Sequence, residues 1–241
     1  MIRSLHLVSG LFRNALILTL GLLAFSASSK AQTVDAFDTG WYDSTNSHTP
    51  SNINYIVGYS SGTFKRNFAA FQIPTFSGPL ISASIRYFNA SVSNGGFDGY
   101  NGSGESTFEV FGLDGINIPL LLGGGLGFSD LAPSGGYLGS TTVSPVSNGT
   151  WVTVDLSSLD ALNLIMAHEG DSLAFGGSLA SESSRLYGFS HVNYQAPQLV
   201  LVQGQLPPVT PVPEPSTYGL MGAAGLFGLA ALRRRLRRKA A

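Results

Sequence analysis

The residues able to do chemistry are few, and their spacing decides what they could do. Gly58-Tyr59-Ser60-Ser61-Gly62 matches the G-x-S-x-G pattern that lifts a serine nucleophile on a sharp turn, with Asp155, Asp160, His168 and His191 downstream in a triad-compatible order. That chemistry needs a strand, a tight turn and then a helix whose N–H groups face an oxyanion. The segment after Gly62, TFKRNFAAFQI, reads instead as a strand, so Ser60 is expected in a hairpin loop. His48, His168 and His191 lack the His-x-x-x-His spacing of a transition-metal site. Cysteine is absent, which excludes a thiol nucleophile and any thiolate metal site. Glu105, Glu109, Glu169 and Glu182 are available for two-carboxylate glycoside hydrolysis, but sequence does not reveal their separation, and a surface or loop placement is expected for each.

Two binding chemistries carry more weight. A hard cation takes Asp, Asn and carbonyl oxygens from flexible loops. Asp35, Asp38 and Asp43 cluster in sequence, and Asp98 stands with Asn94 and Asn101 in a Gly-rich loop. Neither matches an EF-hand or a Gly-Gly-x-Gly-x-Asp repeat, so the expectation is no cofactor beyond a structural calcium ion. Aromatic rings with polar tips suit stacking on sugars. Tyr100 and Tyr137 lie in or beside the Gly-rich segments 94–106 and 123–137 and are the candidate glycan contacts. Trp41, Tyr42, Tyr55 and Tyr59 are expected in the core or in cross-strand pairs.

The elements that must position these residues are strands. Segments 66–73, 82–91, 106–113, 150–157, 171–179, 185–190 and 197–203 are short β-branched or aromatic runs bounded by Gly, Asn, Ser and Pro, and 34–41 and 53–59 read the same way. In 82–91, Ala83, Ile85 and Tyr87 share one face and Ser82, Ser84 and Arg86 the other, as a half-buried strand requires. One short helix is predicted after Ser157 or Ser158, with Asp160 in its first turn, a stripe of Leu159, Leu162, Ile165 and Met166, and Gly170 at its end. About nine strands with one helix predict an all-β fold, a two-sheet sandwich of jelly-roll type, over residues 32–206.

Both ends of the chain carry signals of another kind. Residues 1–31 hold Arg3 and Arg13, an apolar run from Ala15 to Phe25, and small residues Ser29 and Ala31 before Gln32; this is the pattern of a secretory signal peptide cut between Ala31 and Gln32. Residues 207–215 are a Pro-rich linker, extended and semi-rigid. Residues 216–232 carry no charge and are long enough to form a minimal transmembrane helix. The basic tail 233–241, with Arg233, Arg234, Arg235, Arg237, Arg238 and Lys239, stops transfer and stays cytoplasmic. Between the signals, residues 32–212 hold four cations against thirteen carboxylates, a formal balance of −9 that disfavours nucleic acid and anionic membrane surfaces.

Pro213-Glu214-Pro215, the apolar run and the Arg-rich end, in that order, resemble the PEP-CTERM sorting signal of Gram-negative bacteria. The resemblance implies export across the inner membrane, an anchored precursor, and recognition by an exosortase that cuts near Pro-Glu-Pro and delivers the protein to the cell surface or beyond. It further implies association with exopolysaccharide and the biofilm matrix, and the strand pattern is similar to secreted jelly-roll domains that accompany such tails. Two functions follow: a non-enzymatic surface or extracellular-matrix protein associated with polysaccharide, or an exported carbohydrate-active hydrolase. The residues favour the first.

Overall fold

The computed structural model describes residues 29–91, 99–132, 136–180, 185–188 and 195–204, all within the first of two units that divide between Gln205 and Leu206. The strands are β1 (Lys30–Asp35), β2 (Asp38–Asp43), β3 (Val57–Ser60), β4 (Thr63–Gln72), β5 (Leu80–Asn89), β6 (Ser106–Gly112), β7 (Tyr137–Val143), β8 (Thr150–Asp155), β9 (Ser172–Leu179), β10 (Arg185–Leu186) and β11 (Gln198–Gln203). Two short helices, α1 (Ile118–Gly123) and α2 (Leu159–Ala167), join them. A four-stranded sheet runs β1-β11-β5-β8. A seven-stranded sheet runs β10-β3-β4-β9-β6-β7, with β2 also on β4. All these pairings are antiparallel. The mostly-β, two-sheet architecture agrees with the periodicity.

The core between the sheets takes one face of each. Ala83, Ile85 and Tyr87 of β5, Val152 and Val154 of β8 and Leu199 and Leu201 of β11 meet Phe71, Phe108, Val110 and Phe175 from the other sheet. A second apolar cluster lies on the opposite face of the seven-stranded sheet, where Phe68, Ala70, Phe111 and Ala174 are covered by Leu121 of α1 and Leu131 of the 3-10 turn Phe128–Leu131. Burial on both faces explains why β4 reads Phe68-Ala69-Ala70-Phe71 without alternation.

Helix α2 starts as predicted, the Ser158 hydroxyl accepting from the Ala161 N–H at 3.3 Å, with Asp160 in the first turn and Gly170 beyond its end at φ +79°. Its buried stripe is narrower than expected. Ala161, Leu162 and Ile165 face the core, whereas Leu159 is 71% exposed and Met166 37%.

Other elements correct the sequence reading. The strand expected over 34–41 divides at Ala36–Phe37, because the chain there leaves the four-stranded sheet for the seven-stranded one. Strand β7 and helix α1 fall in stretches with no predicted element. Their signals are nonetheless present for α1: Asn117 accepts from the Leu120 N–H at 3.0 Å, Pro119 sits in the first turn and Gly124 ends the helix at φ +78°.

The segment 216–232 expected to cross a membrane, the tail 233–241 and the expected signal peptide up to residue 28 lie outside the described residues, and among the described residues no helix is long and apolar enough to cross a membrane.

Candidate functional site

Strict alternation in the four-stranded sheet sends one set of side chains away from the core. In β5 these are Ser82, Ser84, Arg86 and Phe88; in β8, Trp151, Thr153 and Asp155. Register then aligns them across strands: Asp35 opposite Gln198, Gln198 opposite Arg86, and Phe88 opposite Trp151. Gln198 Nε2 donates to Asp35 Oδ1 at 2.7 Å, and Arg86 Nε donates to Gln198 Oε1 at 2.7 Å. The Arg86 guanidinium stands 4.7 Å from the Trp151 ring centroid, and that ring meets Phe88 edge-on at 5.6 Å. A continuous row thus runs from a carboxylate through an amide and a guanidinium to two half-buried aromatic rings. Neither apolar cluster draws on Arg86, Phe88, Trp151 or Val200, so among the described residues this face is not packed as a core.

At strand spacing, four strands make a platform about 14 Å wide. Half-buried rings beside fixed hydrogen-bonding groups suit stacking on a sugar ring with its hydroxyls paired at the edge. A sheet face with no apolar layer over it among the described residues suits an extended polymer more than a small enclosed ligand. Trp151 was legible in sequence as an aromatic sharing the polar face of TWVTVD with Thr153 and Asp155, yet it is absent from the sequence-derived candidates.

A concavity of about 550 Å³ lies elsewhere, between Phe37, Ile116, Ile118, His168 and Asp171. His168 caps the end of α2, as its predicted position implies, and its Nδ1–H donates to the Leu164 carbonyl at 3.0 Å while Nε2 lies 3.6 Å from Asp114 Oδ1. His48 sits in the outer apolar cluster, stacked on Tyr42 at 4.6 Å, its ring nitrogens facing the Trp41 and Leu122 carbonyl oxygens.

The two predicted glycan-contact tyrosines do not form one surface. Tyr137 is 55% exposed on β7, but Tyr100 is 1% exposed within the main core, which corrects its assignment as a surface aromatic. Asn148 holds it there, accepting from the Tyr100 N–H at 2.7 Å and donating to its carbonyl at 3.0 Å. Ser60 closes the β3–β4 hairpin opposite Thr63, with Ser61 and Gly62 both at positive φ in a two-residue primed turn. A strand follows it, so no helix N-terminus stands behind the serine.

The clustered aspartates are spent separately. Asp35 meets Gln198, and Asp38 accepts from the Thr39 N–H at 2.7 Å. Asp43 accepts from the Thr45 hydroxyl and N–H at 2.6 and 2.9 Å and from the Ser47 N–H at 3.0 Å, with Lys65 Nζ 3.8 Å away. Burial alone would push the Asp43 carboxyl up, but these donors and the Lys65 charge outweigh it and hold it below the ordinary carboxylate range. Among the described residues no group of three or more His, Cys, Asp or Glu side chains is arranged to hold a metal ion. Asn94 and Asp98 lie outside the described residues, as do His191 and Tyr194.

Residues 211–235 match the PEP-CTERM protein-sorting motif. The match contains Pro213, Glu214 and Pro215 and the first three arginines of the basic tail, all outside the described residues. No curated protein matches the chain. The protein is therefore an exported protein that carries an exosortase sorting signal behind a β-sandwich.

Proposed function

We propose that this is a non-enzymatic cell-surface or extracellular-matrix protein of a Gram-negative bacterium, in which the sorting tail delivers a sandwich that holds exopolysaccharide in the biofilm. The segment 216–232 anchors the precursor, the basic tail stays cytoplasmic, and exosortase acts near Pro213-Glu214-Pro215. The sandwich is of jelly-roll type: leaving β2, β3 and β10 aside, the order β1-β11-β5-β8 stands beside β4-β9-β6-β7, so that successive strands change sheets at every step except the β6–β7 hairpin, which supports two Greek keys.

The observation that carries the binding role is the row Asp35–Gln198–Arg86–Trp151–Phe88 on the outer face of the four-stranded sheet. The −9 balance favours an uncharged polymer over a polyanion. Affinity electrophoresis of the excised sandwich through gels containing the host's exopolysaccharide tests this reading. Retardation of the parent should fall at least fivefold in Trp151→Ala. Equal retardation of parent and variant, or release of reducing ends from the polymer by the parent, would overturn it.

A further inference from the structure

The last carbonyls of a helix find no partner within it. In α1 two of them are met by side chains from β2 and the loop that follows it. The Tyr42 hydroxyl donates to the Leu121 carbonyl at 2.7 Å, and His48 Nε2 faces the Leu122 carbonyl at 3.2 Å. The other ring nitrogen, Nδ1, faces the Trp41 carbonyl of β2 at 2.9 Å. One imidazole therefore joins the covering helix to the sheet beneath it. The ring is fixed in place, stacked on Tyr42 and edge-on to Phe68 at 5.7 Å. Gly40 makes room for it, since a Cβ there would stand 2.9 Å from His48 Cε1 and 2.6 Å from the Phe68 ring.

Both partners of the ring are carbonyl oxygens, which only accept. A neutral imidazole carries one N–H, so one of the two contacts would set a ring lone pair against a carbonyl lone pair. Exchanging tautomers moves that mismatch from one oxygen to the other without removing it. Only the imidazolium donates to both. The surroundings suit a cation: the Leu122 carbonyl lies at the negative end of α1, and the Asp38 carboxylate of β2 lies within electrostatic reach of the ring. Helix α1 itself has no charged side chain. On β4 Phe68 meets the ring, and Arg66 donates to the Phe128 carbonyl at 3.1 Å. Asp43 is engaged by Thr45, Ser47 and Lys65, and Asp130 of the 3-10 turn accepts from the Gly127 N–H at 2.7 Å.

We infer that His48, as an imidazolium, is a clasp that holds α1 on the seven-stranded sheet, and that loss of its proton releases one end of the clasp. Histidine side chains change charge between about pH 5 and 8, so the clasp is closed on the acid side of that range and opens as pH rises through it. The Tyr42 hydroxyl keeps its proton throughout, because burial pushes its ionisation up, and its bond to Leu121 remains. What loosens is the cover over Phe68, Ala70, Phe111 and Ala174. The core between the two sheets does not include the ring and stays closed. An exported domain would thus carry one layer whose attachment follows the pH around it.

Hydrogen–deuterium exchange read by mass spectrometry on the chain purified from its host tests this, with exchange times scaled for the intrinsic effect of pH. Peptides covering 118–124 are compared with peptides covering 172–179 at about pH 5.5 and about pH 8. Protection of α1 relative to β9 should fall at least about fivefold between the two in the parent, as loss of a hydrogen bond to a charged group implies. In His48→Gln, whose amide does not titrate, the fall should be less than about twofold. Equal relative protection at the two pH values in the parent overturns the inference, and so does the same fall in a folded His48→Gln chain. Nitrogen-15 spectra of the parent decide the matter if that variant does not fold: both His48 ring nitrogens should carry protons at the lower pH, and a neutral ring there overturns the clasp.

Discussion

The two sheets are built from similar strands and differ in what lies outside them. In the four-stranded sheet, β5 alternates buried and half-buried residues along most of its length because, among the described residues, its outer face has no apolar layer over it. In the seven-stranded sheet, Phe68 to Phe71 of β4 are buried without a break because α1 and the 128–131 turn supply a second core. Small residues are needed there. A Cβ on Gly176 would stand 2.2 Å from the Phe111 ring, and one on Gly177 2.7 Å from the Phe108 ring, so the glycines of β9 let aromatic side chains of β6 lie across it. Coverage, more than strand propensity, separates a sheet committed to packing on both faces from one packed on a single face among the described residues.

Truncation of the covered face should break this contrast most severely. Phe68 is fully buried in the outer cluster, and Phe68→Ala should cost about 3–5 kcal/mol by urea unfolding, as large aromatic deletions in cores do. A loss under about 1 kcal/mol would mean that the α1 layer contributes little and that the sheets are alike.

The next effect concerns the charged end of the same sheet. Asp43→Asn keeps an oxygen for the Thr45 and Ser47 donors but removes the charge that strengthens those bonds and pairs with Lys65, and should cost about 1–2 kcal/mol at neutral pH. The Asp43 carboxyl is held below its unfolded value, so its contribution is complete above roughly pH 4 and is lost as pH falls through the folded value. Stability measured from pH 7 to 3 should therefore fall less steeply in the variant, and identical slopes would assign the acid sensitivity elsewhere.

The smallest stability effect is expected on the open face. Trp151 is only partly buried and outside both apolar clusters, so Trp151→Ala should change unfolding free energy by no more than about 1 kcal/mol. A loss comparable with that of Phe68→Ala would show that Trp151 is retained for packing and would remove the contrast on which the proposed binding role depends.

How much was legible in the sequence follows from the range of each signal. Alternation in 82–91 and in TWVTVD is local, because successive strand residues point to opposite faces whatever the partner. The start of α2 at Ser158 and the sorting motif at the C-terminal end were legible for the same reason: each is written in contiguous residues. Those features, with the absence of cysteine and the scarcity of cations between the signals, fixed a β-rich exported domain before any pairing was known.

Register and burial required the tertiary structure. Tyr100 and Tyr137 are alike in sequence context, each beside glycines, yet Asn148 draws one into the core and β7 leaves the other on the surface. The row across the four-stranded sheet joins Asp35, Gln198, Arg86 and Trp151 from four strands. Local periodicity says which face a side chain takes; which strand lies beside it is decided by long-range pairing, where a shift of one residue would turn each side chain to the other face.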